Sequence, residues 1–330
     1  MNKLLVVLAC MFFMLTGCGQ DSSQTDKQNL TEVTFVLDWT PNTNHTGLYV
    51  AQAKGYFEEE GLNVNIVLPG EAGADQTVAA GKADFGISAQ EAVTEARVQD
   101  IPIVSIAAVI QHNTSGFAAP PVEKGIQSPP ADFAGKTYGG WGCTSGISSN
   151  RFLDETRGAS VDDVTITNIG NTDFFTAVER DVDFAWIYYG WTGVEAELRG
   201  IDLDMLYLTD YSEKLDYYTP VITTNETMLE ENSETVRSLL AAVTKGYQYA
   251  ISHPAEAADI LIDKVPDLDP ELVKASQEWL SPKYQDDATR WGGEQRPEVW
   301  RNYSDWMFEN GLLERELDVE SAFTNEFLPE

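Results

Sequence analysis

Basic residues are scarce in this sequence. Its 330 residues include 21 Lys and Arg against 53 Asp and Glu, which gives a formal net charge of −32. A protein that binds nucleic acid or an anionic lipid surface needs a basic face to neutralise phosphate charge. The charge balance therefore argues against nucleic acid as a partner and against membrane binding through charged surface residues.

Cysteine and histidine are also scarce. The three cysteines, Cys10, Cys18 and Cys143, are too few for a disulfide framework or a cysteine-rich zinc site. The three histidines, His45, His112 and His253, show no pair with metal-ligand spacing on one helix. No Gly-x-Ser-x-Gly motif follows a predicted strand. We therefore expect no metal, no cofactor and no catalytic residue.

Long hydrophobic runs are absent except at the N-terminus, where residues 4–15 are apolar and follow Lys3. This run is too short to span a bilayer and is typical of a secretory signal. The following Leu-Thr-Gly-Cys resembles the bacterial lipobox, which implies cleavage before Cys18 and lipidation of its sulfur. We expect a signal peptide at 1–17, a lipid-anchored polar tether at 18–31, and folding outside the cytoplasm. An ordinary signal or a short buried helix is the alternative.

Beyond the tether, strand and helix patterns alternate, which predicts an α/β protein. The run Ile-Pro-Ile-Val-Ser-Ile-Ala-Ala-Val-Ile at 101–110 is typical of a strand buried on both faces of a parallel sheet. The pattern lapses between Gln111 and Gly135, and a second α/β series follows. A second extended crossing near residues 217–224 leads into a helical tail. We predict one lobe from 32–113 plus 219–330, with a helical C-terminal part, and a second lobe from 114–218.

The stretch 33–61 predicts a ligand site. A strand with alternating apolar residues ends in a polar loop just before a helix that begins near Thr46. The loop contains the candidates Asp38, Trp39, Asn42, Asn44 and His45. A loop at the carboxyl end of a strand, beside a helix N-terminus, is a common ligand site in α/β proteins. An aromatic ring, a carboxylate and amides suit a flat ligand that contains nitrogen. In the alternative interpretation, Trp39 is a core residue and the rest is a capped turn.

Three other segments supply further candidates. The loop before a predicted helix contributes Gln90 and Glu91. The Gly-rich segment at 139–146 lacks the lysine of a nucleotide loop, and its Gly142 and Cys143 are expected to present a helix N-terminus to the ligand. Cys143 is either a reactive thiol or a small buried residue. The cluster Trp-Ile-Tyr-Tyr-Gly-Trp at 186–191 contributes Tyr188, Tyr189 and Trp191, with Glu195 one helical turn after Trp191.

The segments Asp-Trp-Thr-Pro-Asn-Thr-Asn-His at 38–45, Gly-Lys-Ala-Asp-Phe-Gly-Ile-Ser at 81–88 and Tyr-Tyr-Gly-Trp at 188–191 resemble the bacterial substrate-binding lipoproteins for thiamine pyrimidine precursors. The resemblance extends from about Val33 to the C-terminus. It implies a type II periplasmic-binding fold, in which two α/β lobes joined by a two-strand hinge close on a ligand. It also implies a monomer that delivers N-formyl-4-amino-5-aminomethyl-2-methylpyrimidine, or a close relative, to an ABC permease and its ATPase.

The same family contains fungal thiamine-pyrimidine synthases, which supply the alternative of a pyridoxal-phosphate enzyme. The resemblance places the synthase lysine at Ser88, the synthase histidine at Ala92 and the cysteine cluster near Asp216–Tyr218. A serine has no amine with which to form a Schiff base. We therefore expect a binding protein and not an enzyme.

Overall fold

A computed structural model describes residues 30–120, 131–140, 163–170, 172–180, 182–285, 291 and 293–329. This part of the chain contains two five-stranded sheets. The strands of the first are β1 Thr31–Val36, β2 Leu62–Val67, β3 Phe85–Ser88, β4 Ile103–Ala108 and β10 Val221–Asn225, in the order β2-β1-β3-β10-β4. Those of the second are β5 Ser115–Ala119, β6 Thr137–Gly140, β7 Thr165–Asn168, β8 Phe184–Tyr188 and β9 Asp204–Tyr207, in the order β7-β6-β8-β5-β9.

Helices connect and cover the two sheets. Those described are α1 Thr46–Lys54, α2 Tyr56–Glu59, α3 Gly73–Ala79, α4 Gln90–Val98, α5 Phe174–Arg180, α6 Val194–Arg199, α7 Glu226–Glu231, α8 Ser233–Ser252, α9 Pro254–Lys264, α10 Pro270–Leu280, α11 Pro297–Glu309 and α12 Val319–Ala322. A 3₁₀ turn, Thr43–His45, precedes α1, and a π-helical turn, Tyr189–Gly193, precedes α6. None of these described helices has the length and apolar character needed to cross a membrane. The predicted α/β class is confirmed.

The parallel pairing of β1 with β2 and β3 places three chain segments at one edge of the first sheet. β1 pairs in parallel with β2 on one side and with β3 on the other. The carboxyl ends of parallel strands meet at the same edge of a sheet. The loop after β1, helix α3 beyond β2 and the start of α4 after β3 therefore lie together. In the second sheet β8 runs parallel to β6, so Tyr188 marks the corresponding end of that sheet.

Strand β4 departs from the sequence prediction in its direction. All six of its residues are buried, as its apolar composition predicts. The predicted place within a parallel sheet is wrong, because β4 lies at the end of the sheet order and its strand partner, β10, is antiparallel. Later parts of the chain cover the open side of β4. Ser105 forms a β-bridge with Phe323, and the Ser105 hydroxyl donates to the side chain of Gln295. Because the C-terminal segment buries this edge strand, its sequence is as apolar as that of a central parallel strand.

The chain passes between the sheets twice, and the two passages are hydrogen-bonded to each other. The backbone N–H of Val109 donates to the carbonyl of Pro220 at 3.0 Å. Asp216 accepts from the backbone N–H of Asn113 at 2.8 Å and contacts His112 Nδ1 at 2.6 Å. These paired passages occupy the place of the predicted two-strand hinge. The predicted lobe boundaries themselves stay a prediction.

Helix α11 joins the core of the second sheet. Its residues Tyr303, Trp306 and Met307 belong to the same buried cluster as Phe117 and Phe184. The sequence-based division places this helix with the first lobe, because it follows the second crossing in the chain. Helical periodicity shows which face of α11 is apolar, but only the tertiary structure shows what that face contacts.

Helices α1 and α8 cross at glycine. A Cβ atom added to Gly246 would lie 2.0 Å from the carbonyl oxygen of Gly47, and one added to Gly47 would lie 2.4 Å from the ring of Tyr247. This close approach allows the Tyr247 hydroxyl to donate to the carbonyl oxygen of Asn44 at 2.7 Å. The α1–α8 contact therefore holds the polar loop that follows β1.

Candidate ligand-binding site

His45 orients Asp38 at the end of β1. His45 is fully buried, and its Nδ1 accepts from the backbone N–H of Asn42 at 3.2 Å. An accepting Nδ1 places the ring proton on Nε2, which donates to Asp38 Oδ1 at 2.8 Å. The Asp38 side chain is 35% exposed, so its second oxygen can accept from a ligand. His45, proposed from sequence as a ligand contact, uses both ring nitrogens to position Asp38.

The rest of this loop has a mixed role. Asn42 caps the 3₁₀ turn by accepting from the backbone N–H of Asn44 at 2.9 Å. Asn44 is half-buried, and its carbonyl accepts from Tyr247. Trp39 is half-buried beside the exposed Asp38. It is therefore not a fully buried core residue, and its role as a stacking surface for a ligand stays a prediction.

Gln90 anchors the start of α4 to the second passage between the sheets. Its side chain is fully buried. Its Oε1 accepts from the backbone N–H of Tyr218 at 2.9 Å, and its Nε2 donates to the Val299 carbonyl at 3.3 Å. Because both ends of the amide are engaged, Gln90 acts here as a structural connection, which also positions the neighbouring Glu91.

Tyr188 brings the second sheet into the site. Its hydroxyl bonds the Thr219 hydroxyl at 2.9 Å. Burial raises the pKa of Tyr188, and the negative charges of Glu91 and Asp38 raise it further. Tyr188 belongs to the second sheet, whereas Asp38 and Glu91 follow strands of the first. Electrostatic interactions therefore link groups on the two sheets.

Asp75 is a site residue that sequence reasoning missed. It lies on α3, and its Oδ1 is buried without a hydrogen-bond partner among the described residues. Burial raises the pKa of Asp75 to about 6; the Ser88 hydroxyl opposes this shift, and Asp38 adds to it. The sequence signal that could have found Asp75 is the Gly-rich loop after β2, because β2 is parallel to β1 and the two strands end at the same edge of the sheet. We call Asp38, Asp75 and Glu91 the acidic cluster.

Tyr189 points away from the acidic cluster. Its ring lies 5.8 Å from that of Tyr207 and 5.3 Å from that of Trp279, and its hydroxyl donates to Glu197. Burial first, and Glu197 second, raise the pKa of Tyr189 to about 12. Tyr189 and Glu197 line a separate cavity of about 410 Å³. Strand β8 ends at Tyr188 and the π-helical turn begins at Tyr189, so the two side chains have different surroundings.

Trp191 and Glu195 also have partners outside the acidic cluster. Trp191 is half-buried and packs on the apolar group formed by Tyr49, Leu261 and Val273. Glu195 forms an ion pair with Arg199 on α6. Four-residue spacing on the same helix explains that pair, because such side chains are neighbours. The sequence-based role of both residues as ligand contacts stays a prediction.

Three sequence candidates, Cys18, Gly142 and Cys143, lie outside the described residues. Within the described ranges no group of three His, Cys, Asp or Glu side chains could hold a metal ion. The candidate site consists of three carboxyl groups (Asp38, Asp75 and Glu91), the phenol of Tyr188 and the half-buried indole of Trp39. Carboxylates accept hydrogen bonds and aromatic rings stack, so the arrangement suits a flat ligand with N–H donors.

Two five-stranded sheets with surrounding helices, linked by paired passages of the chain, are the architecture of the periplasmic binding protein fold. The alkanesulfonate-binding protein SsuA from Xanthomonas axonopodis pv. citri, bound to MOPS, has this fold, with a TM-score of 0.67 at 14% identity over 89% of this chain and 98% of that one. The chain belongs to the NMT1/THI5 like family, whose model matches residues 42–257.

Curated relatives include binding proteins and enzymes. The chain is 30% identical to a formylaminopyrimidine-binding protein of Halalkalibacterium halodurans, over 98% of each. It is 28% identical to the riboflavin-binding protein RibY of Chloroflexus aurantiacus, over 91% of this chain and 87% of that protein. It is 26% identical to the 4-amino-5-hydroxymethyl-2-methylpyrimidine phosphate synthase THI11 of Saccharomyces cerevisiae, over 73% of each.

Proposed function

We propose that this chain is the substrate-binding protein of an ABC importer and captures a thiamine-related aminopyrimidine for salvage. The observation that carries the proposal is the position of Tyr188 of the second sheet: its hydroxyl bonds Thr219, next to Tyr218, whose backbone N–H is held by Gln90 beside Glu91, and it interacts electrostatically with Glu91 and Asp38. A ligand that bonds both Tyr188 and the acidic cluster would hold the two lobes together. The similarity to a formylaminopyrimidine-binding protein supports N-formyl-4-amino-5-aminomethyl-2-methylpyrimidine or a close relative as the ligand.

The geometry assigns a role to each group in capture. Asp38, held by His45, accepts from an amino group of the ligand through its outward oxygen. Trp39 offers a half-buried aromatic face to the ring, and Tyr188 meets the ligand from the other lobe. Ligand contacts with both lobes shift the protein toward its closed state. Closure is the signal that a permease and its ATPase would read from a monomeric binding protein.

The direct test of this function is calorimetric titration of the purified mature protein. We expect one N-formyl-4-amino-5-aminomethyl-2-methylpyrimidine per chain, bound at least about tenfold more tightly than riboflavin or thiamine. One buried polar group left unpaired by a wrong ligand costs about 1–3 kcal/mol, and 1.4 kcal/mol is about tenfold in affinity. Tighter binding of riboflavin would overturn the ligand assignment and leave the fold assignment unchanged.

The enzyme alternative is tested on the same sample with pyridoxal phosphate. Ser88, which stands at the position of the synthase lysine, ends β3 and is 6% exposed. A serine cannot form an imine, so borohydride should trap no adduct at a discrete residue. A trapped lysine adduct at one position would favour the synthase interpretation instead.

We propose that lipid on Cys18 attaches the protein to the outer face of the cell membrane. The proposal rests on the lipobox-like junction Leu-Thr-Gly-Cys at 15–18 and on the polar tether that follows it. Replacing Cys18 with serine should move the protein from the membrane fraction to the soluble extracytoplasmic fraction. Cys143→Ser is the matched control and should stay in the membrane fraction. Membrane retention of the Cys18 variant would contradict lipid anchoring.

A further inference from the structure

Glu91 is half-buried, and one oxygen of its carboxyl group is buried among acidic neighbours. It is the second residue of α4, and its Oε2 has no hydrogen-bond partner among the described residues. The titratable groups that act on it or feel its charge are Glu95 on its own helix, Asp75 on α3, Tyr188 on β8, Tyr217 on the second passage and Tyr303 on α11. No lysine or arginine is among these described neighbours.

Two opposing effects decide the charge of this group. The N-terminus of α4 favours the ionised form, through the backbone N–H of Glu91 itself. Removing an unpaired carboxylate from water opposes ionisation, and this cost is several-fold larger than a helix-end effect. Burial therefore prevails and raises the pKa of Glu91 to about 8; its backbone N–H lowers the pKa, and Glu95 and Asp75 raise it further.

We infer that Glu91 binds the ligand as a neutral carboxylic acid, donating to a ring nitrogen and accepting from the amino group beside it. This inference rests on the proposed function, because it assigns a role within the same site. An aminopyrimidine presents an unprotonated ring nitrogen next to an exocyclic amine. A carboxylic acid matches that edge with two parallel hydrogen bonds.

The same pairing limits the class of ligand. A heterocycle with an amino group adjacent to a ring nitrogen satisfies both oxygens of Glu91, including the unpartnered Oε2. A phosphate or sulfonate placed there would face Asp75 and Glu95 without a described cation to offset the repulsion. The acidic cluster therefore selects an uncharged or donor-rich base.

The inference makes ligand binding depend on pH in a defined direction. The bound complex contains the Glu91 proton. Between about pH 7 and about pH 8 the free protein already carries this proton, and Asp75, whose pKa is raised to about 6, is already ionised, so affinity is flat. Above about pH 8 binding must take up a proton, and Kd rises about tenfold per pH unit. Burial raises the pKa values of Tyr188, Tyr217 and Tyr303, so these phenols stay protonated.

The experiment is calorimetry with the N-formyl aminopyrimidine, whose side-chain amide does not titrate, across roughly pH 7 to 10. Wild-type protein should show the rise in Kd above about pH 8. Glu91→Gln keeps one donor and one acceptor but cannot titrate, so its affinity should not vary with pH. At neutral pH it should bind at least about tenfold more tightly than Glu91→Ala, the loss expected when a buried hydrogen-bonding edge is removed. A flat wild-type profile, or equal affinities of the two variants, would overturn the inference.

Infrared spectroscopy of the ligand-free protein separates this inference from the proposed function. At neutral pH we expect the carbonyl stretch of a protonated carboxylic acid in wild-type protein and its loss in Glu91→Gln. In Asp75→Asn, removal of a negative neighbour lowers the pKa of Glu91, and the band should disappear at a lower pH. Absence of the band from wild-type protein contradicts a neutral Glu91 whatever binds. Failure of every aminopyrimidine to bind while the band is present tells against the proposed ligand instead.

Discussion

Replacing Asp38 with asparagine is expected to weaken binding of the aminopyrimidine by roughly 10- to 150-fold, with little change in melting temperature. A hydrogen bond to a charged group contributes about 1.5–3 kcal/mol, and the variant loses that charge. Asparagine still offers an oxygen to His45 Nε2, so the 2.8 Å contact that orients the loop can persist. Calorimetry at neutral pH measures the loss, and thermal unfolding without ligand measures the stability.

The control for this variant is Glu58→Gln. Glu58 lies on α2 and is exposed, so this change removes one negative charge without touching the site. Its affinity should equal that of wild-type protein, since exposed charges are largely screened by solvent and salt. Wild-type affinity in Asp38→Asn would remove Asp38 from the site. An equal loss in both variants would show that overall negative charge, and not Asp38, governs binding.

Gly246→Ala is expected to lower the melting temperature, although alanine is the better helix former. In an unobstructed helix the change would stabilise the protein by about 1 kcal/mol. Here the added Cβ would lie 2.0 Å from the Gly47 carbonyl oxygen, a backbone atom that cannot rotate away. Overpacking of a core typically costs about 1–3 kcal/mol, which exceeds the gain in helix propensity. Whether the melting temperature falls or rises therefore shows how closely α1 and α8 approach each other at their crossing.

Thermal unfolding of Gly246→Ala beside Gly70→Ala tests this expectation. Gly70 is exposed, and a Cβ atom there would meet nothing within 4 Å. We expect a fall of a few degrees for Gly246→Ala and little change for Gly70→Ala, since an unfolding entropy of about 2.1 cal/mol/K per residue makes each kcal/mol shift the midpoint by about 1–2 °C in a chain of 330 residues. Gly246→Ala should also weaken ligand binding, because Tyr247 lies at this crossing and donates a hydrogen bond to the Asn44 carbonyl in the polar loop after β1. A raised midpoint would show that α1 and α8 have room to move apart.

Part of the site could be predicted from local sequence. Asp38 and Trp39 were found because a strand with alternating residues ends directly before them, and the loop after a strand is a preferred ligand site. Glu91 was found for the same reason after β3. Asp75 was missed because a carboxylate in the first turn of a helix, after a Gly-rich loop, is usually solvent-exposed. Its place beside Asp38 follows only from the parallel pairing of β1 with β2.

The aromatic cluster shows the limit of local reasoning. Strand alternation separates Tyr188 from Tyr189, but it does not say which face meets the cleft. The structure directs Tyr188 to Thr219 and Tyr189 to Glu197. It also pairs Glu195 with Arg199, a neighbour that helical spacing allows but does not require. Several partners are possible for each of these side chains, so periodicity alone cannot decide between them.

The sequence by itself determined the α/β class, the polar loop after β1 and the family resemblance, because each depends on residues that are close in the chain. Tertiary structure decided which carboxyl groups lie near enough to interact with one another. Asp38, Asp75 and Glu91 follow three different strands, and the strand order of the sheet brings them together. Burial among acidic and phenolic neighbours then keeps Glu91 neutral, a property that no stretch of sequence contains, because it depends on the distances between groups that the fold sets.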